Sequence, residues 1–377
     1  MLWMSGSTGP TELVQNGRSR VGPDRRFRAT AEAAMGCRPG ASKLEFMALP
    51  SPPVVAGSGA CLPESCPGET LVGEVLLAWR RRLLAQGGSS SDLDWLLDLA
   101  GGVRWSDLQR LRLDPSISIS LERSCQQLEA IWCRHLQTAE PLQYLVGLCP
   151  WRDFELRVAP GVLIPRQETE RLVDLALASL PAALVAHLQH GGPAGAGKHD
   201  EPALLWADLG TGSGCVALAL ARALPRAQGL AVDCSDLALA QASANLARFA
   251  LDGMVRLRHG DWWHGLEPWW GQLDLVVANP PYIPTALIAG LEPIVRDHEP
   301  RLALDGGADG LAAIGAIAAG ACRALAPGGV LLLEHHHDQS PAVLELLGQA
   351  GLMAASAHPD LEGTLRFARA YRSRSDG

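Results

Sequence analysis

Apolar positions with helical spacing begin near Thr70. Leu71, Val75, Leu76, Trp79 and Leu83 fall on one face, and Gly87-Gly88 ends the segment. Ser89-Ser90-Ser91-Asp92 then offers an N-cap ahead of Leu93, Trp95, Leu96, Leu97 and Leu99. A third short helix follows from Ser106, and a longer one covers about Leu121 to Gln137. The pattern predicts a small all-helical unit over residues 69–140.

Beyond Gln143 the period changes. Tyr144-Leu145-Val146-Gly147 and Phe154-Glu155-Leu156-Arg157-Val158 read as two strands of a hairpin, with Pro150 and Pro160-Gly161 at turns. A helix from Glu168 to about His190 and a Gly-rich linker, Gly191 to Gly197, complete a connector over 141–203. From 204 to 377 strands and helices alternate. The strands are Leu204 to Ala207, Gly229 to Val232, Val255 to Arg258, Leu273 to Ala278 and Val330 to Leu333. The helices are Cys215 to Ala223, Asp236 to Phe249 and Gly310 to Leu325. Such alternation predicts an α/β fold with a parallel, doubly wound sheet and ligands at the carboxyl ends of its strands.

Composition sharpens this picture at the amino terminus. The chain has 377 residues, 47% hydrophobic and 19% charged, enough for a sizeable core. Its net charge of −8 is uneven. Residues 1–68 carry seven Lys+Arg against five Asp+Glu, and the remainder carries 25 against 35. Gly, Pro, Ser and Arg dominate residues 1–68 without an apolar period, so they read as a disordered leader or a misplaced start, with Met35 and Met47 as alternative initiators. The acidic body argues against stable DNA binding by phosphate neutralisation. No apolar stretch is long enough for a membrane span. The nine cysteines contain no C-x-x-C pair and read as reduced thiols of a cytoplasmic protein.

Two loops carry candidate chemistry. Asp208-Leu209-Gly210-Thr211-Gly212-Ser213-Gly214 follows a strand and opens a helix, and Asp233 ends the next strand, placed to accept hydrogen bonds from two ribose hydroxyls. The pair predicts an adenosine-type cofactor. Gly212-x-Gly214-x-x-Ala217 also fits a dinucleotide pattern, while Asp208 before the glycines favours S-adenosylmethionine. The second loop, Asn279-Pro280-Pro281-Tyr282, follows a buried strand and is stiffened by its prolines. A planar nitrogen is a poor nucleophile because its lone pair is delocalised. Accepting both its N–H groups, at Asn279 Oδ1 and the Pro280 carbonyl, would hold it in line with a donor methyl, and Tyr282 could stack on the planar group.

With these motifs in view, the chain resembles the HemK-type protein-(glutamine-N5) methyltransferases, which modify class 1 peptide chain release factors. The resemblance covers roughly residues 69–371. It rests on Glu140-Pro141-Leu142-Gln143-Tyr144-Leu145-Val146-Gly147, on Leu163-Ile164-Pro165-Arg166-Gln167-Glu168-Thr169-Glu170, on both loops above, and on Glu299-Pro300, Ala303-Leu304, Gly306-Gly307 and Asp309-Gly310-Leu311. Gln167 stands where many members have proline. The resemblance implies a Rossmann-like class I methyltransferase sheet behind a small all-helical N-terminal domain that helps to recognise the release factor. It implies S-adenosylmethionine at Gly210, Thr211, Gly212, Ser213, Gly214 and Asp233, with Asp261 and Trp262 at the adenine end and Asn279 touching cofactor as well as substrate. Asn279, Pro280, Pro281 and Tyr282 would receive the glutamine of a Gly-Gly-Gln loop. A monomer is expected.

Asn-Pro-Pro-Tyr alone is shared with nucleic-acid adenine-N6 methyltransferases, which would flip a base into the same pocket; the acidic body counts against that alternative. Glu334-His335-His336-His337-Asp338 invites a metal reading, but adjacent side chains after a strand alternate in direction, so no metal is expected. Arg80-Arg81-Arg82 reads as a solvated helix face, and Trp263, Trp269 and Trp270 as cover for the sheet edge or the cofactor mouth.

Overall fold

The computed structural model describes residues 68–190 and 204–374. The leader, apart from Gly68, and the Gly191–Gly197 linker lie outside the described residues.

The amino-terminal part contains helices α1 (Gly73–Leu84), α2 (Ser90–Gly101), α3 (Trp105–Leu113) and α4 (Cys125–Thr138). Ser89 caps α2 by accepting the Asp92 amide at 3.0 Å, and Ser124 and Gln127 form a capping box on α4. Leu76, Leu83, Leu93, Leu96, Leu97, Leu128 and Trp132 make its core. It is not all helical. A ribbon joins β1 (Glu69–Val72) to β2 (Ser118–Leu121), where a Ser-Ile-Ser-Leu alternation was too short to register as a strand. Two of the three consecutive arginines are paired, Arg80 with Asp94 and Arg82 with Glu129.

The connector departs from expectation too. Residues 144–147 are not a strand, because Leu142–Val146 forms a short helix, α5, closed by Gly147 at φ 81°. Leu142 and Val146, four apart, both enter the helical core, a spacing that a short apolar run cannot distinguish from alternation. The hairpin pairs β3 (Leu148–Trp151) with β4 (Phe154–Arg157) instead. The long helix is broken at Leu180-Pro181 into α6 (Glu170–Ala178) and α7 (Ala182–His190), since proline donates no backbone hydrogen bond.

The seven-stranded sheet comprises β5 (Leu205–Leu209), β6 (Gln228–Asp233), β7 (Val255–His259), β8 (Leu273–Ala278), β9 (Leu325–Glu334), β10 (Met353–Pro359) and β11 (Leu365–Tyr371). Its order is β10-β11-β9-β8-β5-β6-β7. The strands from β7 to β9 run parallel, and β11 is antiparallel to both its neighbours. Helices α8 (Cys215–Ala223), α9 (Asp236–Arg248), α11 (Ala312–Ala324) and α12 (Ser340–Gln349) connect the strands, and a short α10 (Pro293–Arg296) lies after β8. Two hydrophobic clusters fill the faces, one around Trp206, Leu218 and Leu332, the other around Leu230, Val276 and Ile317. The chain moves from β5 outward through β6 and β7, then returns to β8 on the other side of β5. That reversal opens a crevice at the carboxyl ends of β5 and β8. Among the described residues no single helix is long and apolar enough to cross a membrane.

Candidate active site

A cavity of about 400 Å³ occupies this crevice, within the range of roughly 300–1,000 Å³ usual for small-molecule sites. Gly210 and Gly212 turn the chain at φ 73° and 56°, values that side chains disfavour. The turn places the Gly212 amide 2.8 Å from Asp233 Oδ2, and the Ser235 amide donates to Asp233 Oδ1 at 2.9 Å. Asp233 is thereby held at the rim with lone pairs to spare. Burial raises its pKa, against the pull of these backbone donors.

Asp208 lies behind the glycine turn, 2% exposed. It accepts the Thr211 hydroxyl at 2.7 Å and the Ala217 amide, in the first turn of α8, at 3.2 Å. Burial pushes its carboxyl up to about 7, opposed by these two hydrogen bonds. A helix N-terminus after a glycine loop is where a dinucleotide would seat its pyrophosphate. Here an aspartate already occupies it. With Asp233 and Asp261 also lining the cavity, the donor set suits a cationic sulfonium with an amino group and opposes a doubly negative pyrophosphate. The residues therefore fit S-adenosylmethionine.

Trp262 adopts φ 52°, an uncommon conformation for a bulky residue. Its ring stands 3.3 Å from the place a Cβ on Gly210 would take, so the two residues share one wall. Trp263 turns inward instead and donates to the Ile317 carbonyl at 3.1 Å. Trp269 and Trp270 lie beneath Arg258 and Arg323. Gly210, Thr211, Gly212, Ser213, Asp233, Asp261, Trp262, Asn279 and Pro281 all line the cavity. Gly214, Pro280 and Tyr282 are not part of that lining. Gly214, at φ 81°, allows close packing, since a Cβ there would lie 3.0 Å from Ala242 Cα.

Asn279 Nδ2 donates to Thr169 Oγ1 at 3.0 Å. Thr169 Oγ1 donates to Glu334 Oε2 at 2.8 Å, and the Tyr282 hydroxyl donates to Glu334 Oε1 at 3.1 Å. Beside this chain, Arg166 reaches the buried Glu299 at 2.6 Å, tying the segment before α6 to the loop after α10. Arg166 and Thr169 line the cavity.

Thr169, Arg166, Glu299 and Glu334 carry no site role legible in the sequence. The predicted helix begins at Glu168, which puts Thr169 inside it; α6 instead starts at Glu170, and the Thr169 hydroxyl, at the N-cap, makes no cap hydrogen bond. Glu334 ends β9 directly before three histidines, which mask it in the sequence. His335 is fully buried, its Nδ1 2.8 Å from the His336 carbonyl, and His336 Nδ1 is engaged by Asp338 at 2.6 Å. Among the described residues no three His, Cys, Asp or Glu side chains are grouped to hold a metal ion.

Residues 198–290 match the model of the methyltransferase small domain. The chain is 49% identical over 299 residues to the release factor glutamine methyltransferase of Prochlorococcus marinus, covering 79% of this chain and 97% of that protein. It is 42% identical over 275 residues to the protein of the same name from Gloeobacter violaceus, covering 72% and 87%. To that of Caulobacter vibrioides it is 39% identical over 272 residues, covering 72% and 86%. An acidic pocket beside Asn279-Pro280-Pro281-Tyr282, together with relatives matched over 86% to 97% of their length, leads to one conclusion: the chain is an S-adenosylmethionine-dependent methyltransferase and belongs to the release factor glutamine methyltransferase family.

Proposed function

We propose that the protein methylates the side-chain amide nitrogen of the glutamine in the Gly-Gly-Gln motif of class 1 peptide chain release factors. The observation that carries this reading is the orientation of Asn279. Its NH2 is committed to Thr169, so its Oδ1 is the end left to accept from a substrate N–H. The Pro280 carbonyl, on a backbone stiffened by two prolines, supplies the second acceptor. Two acceptors and no donor select a nitrogen that carries two hydrogens, as a primary amide does, over a hydroxyl or a carboxylate. Tyr282 stacks on the amide plane and resists its rotation.

The cofactor, when bound, supplies an electrophilic methyl carbon. Gly210, Thr211, Gly212, Ser213 and Gly214 shape the turn that holds it, Asp233 takes the ribose hydroxyls, and Asp261 with Trp262 takes the adenine. Asn279 and Pro280 direct the nitrogen lone pair at the methyl and stabilise the N–H groups as positive charge develops. The nitrogen becomes acidic as it is alkylated, and its proton leaves to solvent without a strong base.

The substrate also defines the setting. Residues 69–140 recognise the factor, the enzyme acts as a monomer in the cytoplasm, and DNA is not a stable partner. His298 Nε2 lies 2.8 Å from the Thr138 carbonyl, a link between the end of α4 and the loop that carries Glu299 that supports a joint role for the two parts. The test is incubation of the full chain with labelled cofactor and a class 1 release factor, followed by mass-spectrometric mapping. Methylation of the Gly-Gly-Gln glutamine is expected; label on another residue type or on DNA refutes the reading.

A further inference from the structure

Glu334 ends β9 beside the candidate site. It is 2% exposed and, among the described residues, has no ion-pair partner. Burying an uncompensated carboxylate is costly, and a merely structural position would be served by glutamine or an apolar residue. What Glu334 provides is two acceptor oxygens facing different ways: Tyr282 donates to Oε1 and Thr169 to Oε2.

The polarity of the second arm matters. A threonine hydroxyl has one hydrogen. An ionised carboxylate only accepts, so that hydrogen is committed to Glu334 and Thr169 turns a lone pair toward Asn279. Asn279 must then answer with its NH2, which leaves Oδ1 facing the site. Reversal of the Thr169 hydroxyl would draw Oδ1 to Thr169 and present NH2 to the substrate, where it would oppose the substrate N–H. The first arm fixes the phenol end of Tyr282. Its main chain is fixed from the same turn, because Gln339 Nε2 donates to the Tyr282 carbonyl at 3.0 Å while Gln339 Oε1 accepts the His336 amide at 2.9 Å.

We propose that Glu334 is the positioning residue of the Asn279–Tyr282 loop: it sets the polarity of the Thr169–Asn279 hydrogen bond and the tilt of the Tyr282 ring. The inference rests on the reading of that loop as the amide-binding element. Ionisation of Glu334 becomes a condition for turnover. Burial pushes its carboxyl up to about 7, against the Thr169 and Tyr282 hydrogen bonds; Glu168 adds to the rise and Arg366 opposes it. Arg166 and Arg366 face Tyr282, whose own pKa is raised well above its ordinary value, chiefly by burial and then by Glu334. Tyr282 therefore stays a donor throughout the range in which Glu334 titrates.

The experiment measures kcat, KM for release factor and Kd for cofactor with the full chain, from about pH 6 to about pH 9. Wild type should show kcat rising with pH through about 7. Glu334→Gln should lose that rise and roughly 10- to 100-fold in kcat at the plateau, with cofactor Kd unchanged. Thr169→Val should lower kcat comparably and Thr169→Ser should restore it, a comparison that decides the matter if the Glu334 variant fails to fold. A Glu334→Gln enzyme with wild-type kcat and an intact acid limb overturns the proposal, as does equal activity of the Thr169→Val and Thr169→Ser enzymes. A loss confined to cofactor Kd also overturns it. A wild-type chain that binds cofactor yet methylates no release factor overturns the functional reading, and this inference with it.

Discussion

Asp208 Oδ2 lies 3.2 Å from the backbone nitrogen of Ala217, so the first turn of α8 is capped from within the protein by a carboxylate rather than left open to a ligand anion. The cavity in front of it is accordingly built for positive charge. Asp208→Ala should reopen the helix end and, above about pH 7 where the buried carboxyl is ionised, remove one negative charge. Affinity for S-adenosylmethionine should fall by about tenfold, the effect of roughly 1.4 kcal/mol, as measured by calorimetry. Unchanged affinity would show that the acidic wall plays no part in cofactor selection.

Asp233 is expected to matter more, because it lines the cavity at the rim and is proposed to take the ribose hydroxyls. Loss of charge-assisted hydrogen bonds costs about 1.5–3 kcal/mol each. Asp233→Ala should therefore weaken cofactor binding by at least about tenfold, and it should also lower the melting temperature of the ligand-free chain, because the Gly212 and Ser235 amides lose their acceptor. An undiminished affinity would remove the ribose assignment.

Asn279→Ala separates binding from chemistry. The cavity keeps its glycine turn and its three aspartates, Asp208, Asp233 and Asp261, so the cofactor Kd should change by less than about threefold. Turnover should fall by about 10²–10³, the usual effect of deleting one preorganised polar contact in a transition state. Near-normal turnover would sink the proposed acceptor role.

The Arg166–Glu299 pair joins two segments of the site at 2.6 Å, with Glu299 the more buried member at 2% side-chain exposure and Arg166 at 25%. Removing a partner from a buried pair leaves a stranded charge, at about 3–5 kcal/mol. Arg166→Ala should therefore destabilise the fold more than Glu299→Ala, because the partly exposed guanidinium can rehydrate and the buried carboxylate cannot. Chemical denaturation of both variants checks the order.

Stability should fall as pH rises from about 4.5 to about 7. Asp208 and Glu334 hold their protons to about 7 in the folded state because burial disfavours their charged forms. The unfolded chain releases them near pH 4, so across this window the native state binds more protons and loses ground as they leave. The carboxylates with lowered pKa, among them Asp305 and Asp360, act in the opposite sense and at lower pH. Asp208→Asn and Glu334→Gln should each flatten the decline in thermal scans made across this pH range. A flat wild-type profile would contradict the assignment.

Strands long enough to alternate or to run apolar were legible. Leu273 to Ala278 is the clearest case, predicted and observed with the same limits. Short elements were not. Leu142–Val146 offers five residues in which a spacing of two and a spacing of four coincide, and only the neighbouring α2 and α4 decide for a helix. Ser118–Leu121 became a strand because Glu69–Val72 lay beside it. The broken helix at Pro181 was readable in principle from the proline itself.

The sequence by itself determined the contiguous parts of the candidate site: the glycine turn, Asp233 and the Asn279–Tyr282 loop each follow a strand or end one, so a local pattern carries them. It could not determine what lies behind them. Thr169 meets Glu334 across 165 positions and Asn279 across 110, and Arg166 meets Glu299 across 133. No periodicity encodes such separations. They arise because β8 and β9 are adjacent in the sheet and α6 packs against both, so the carboxyl ends of two strands meet the amino end of α6. Through them one buried carboxylate engages both Thr169 and Tyr282, a pairing that no local pattern shows.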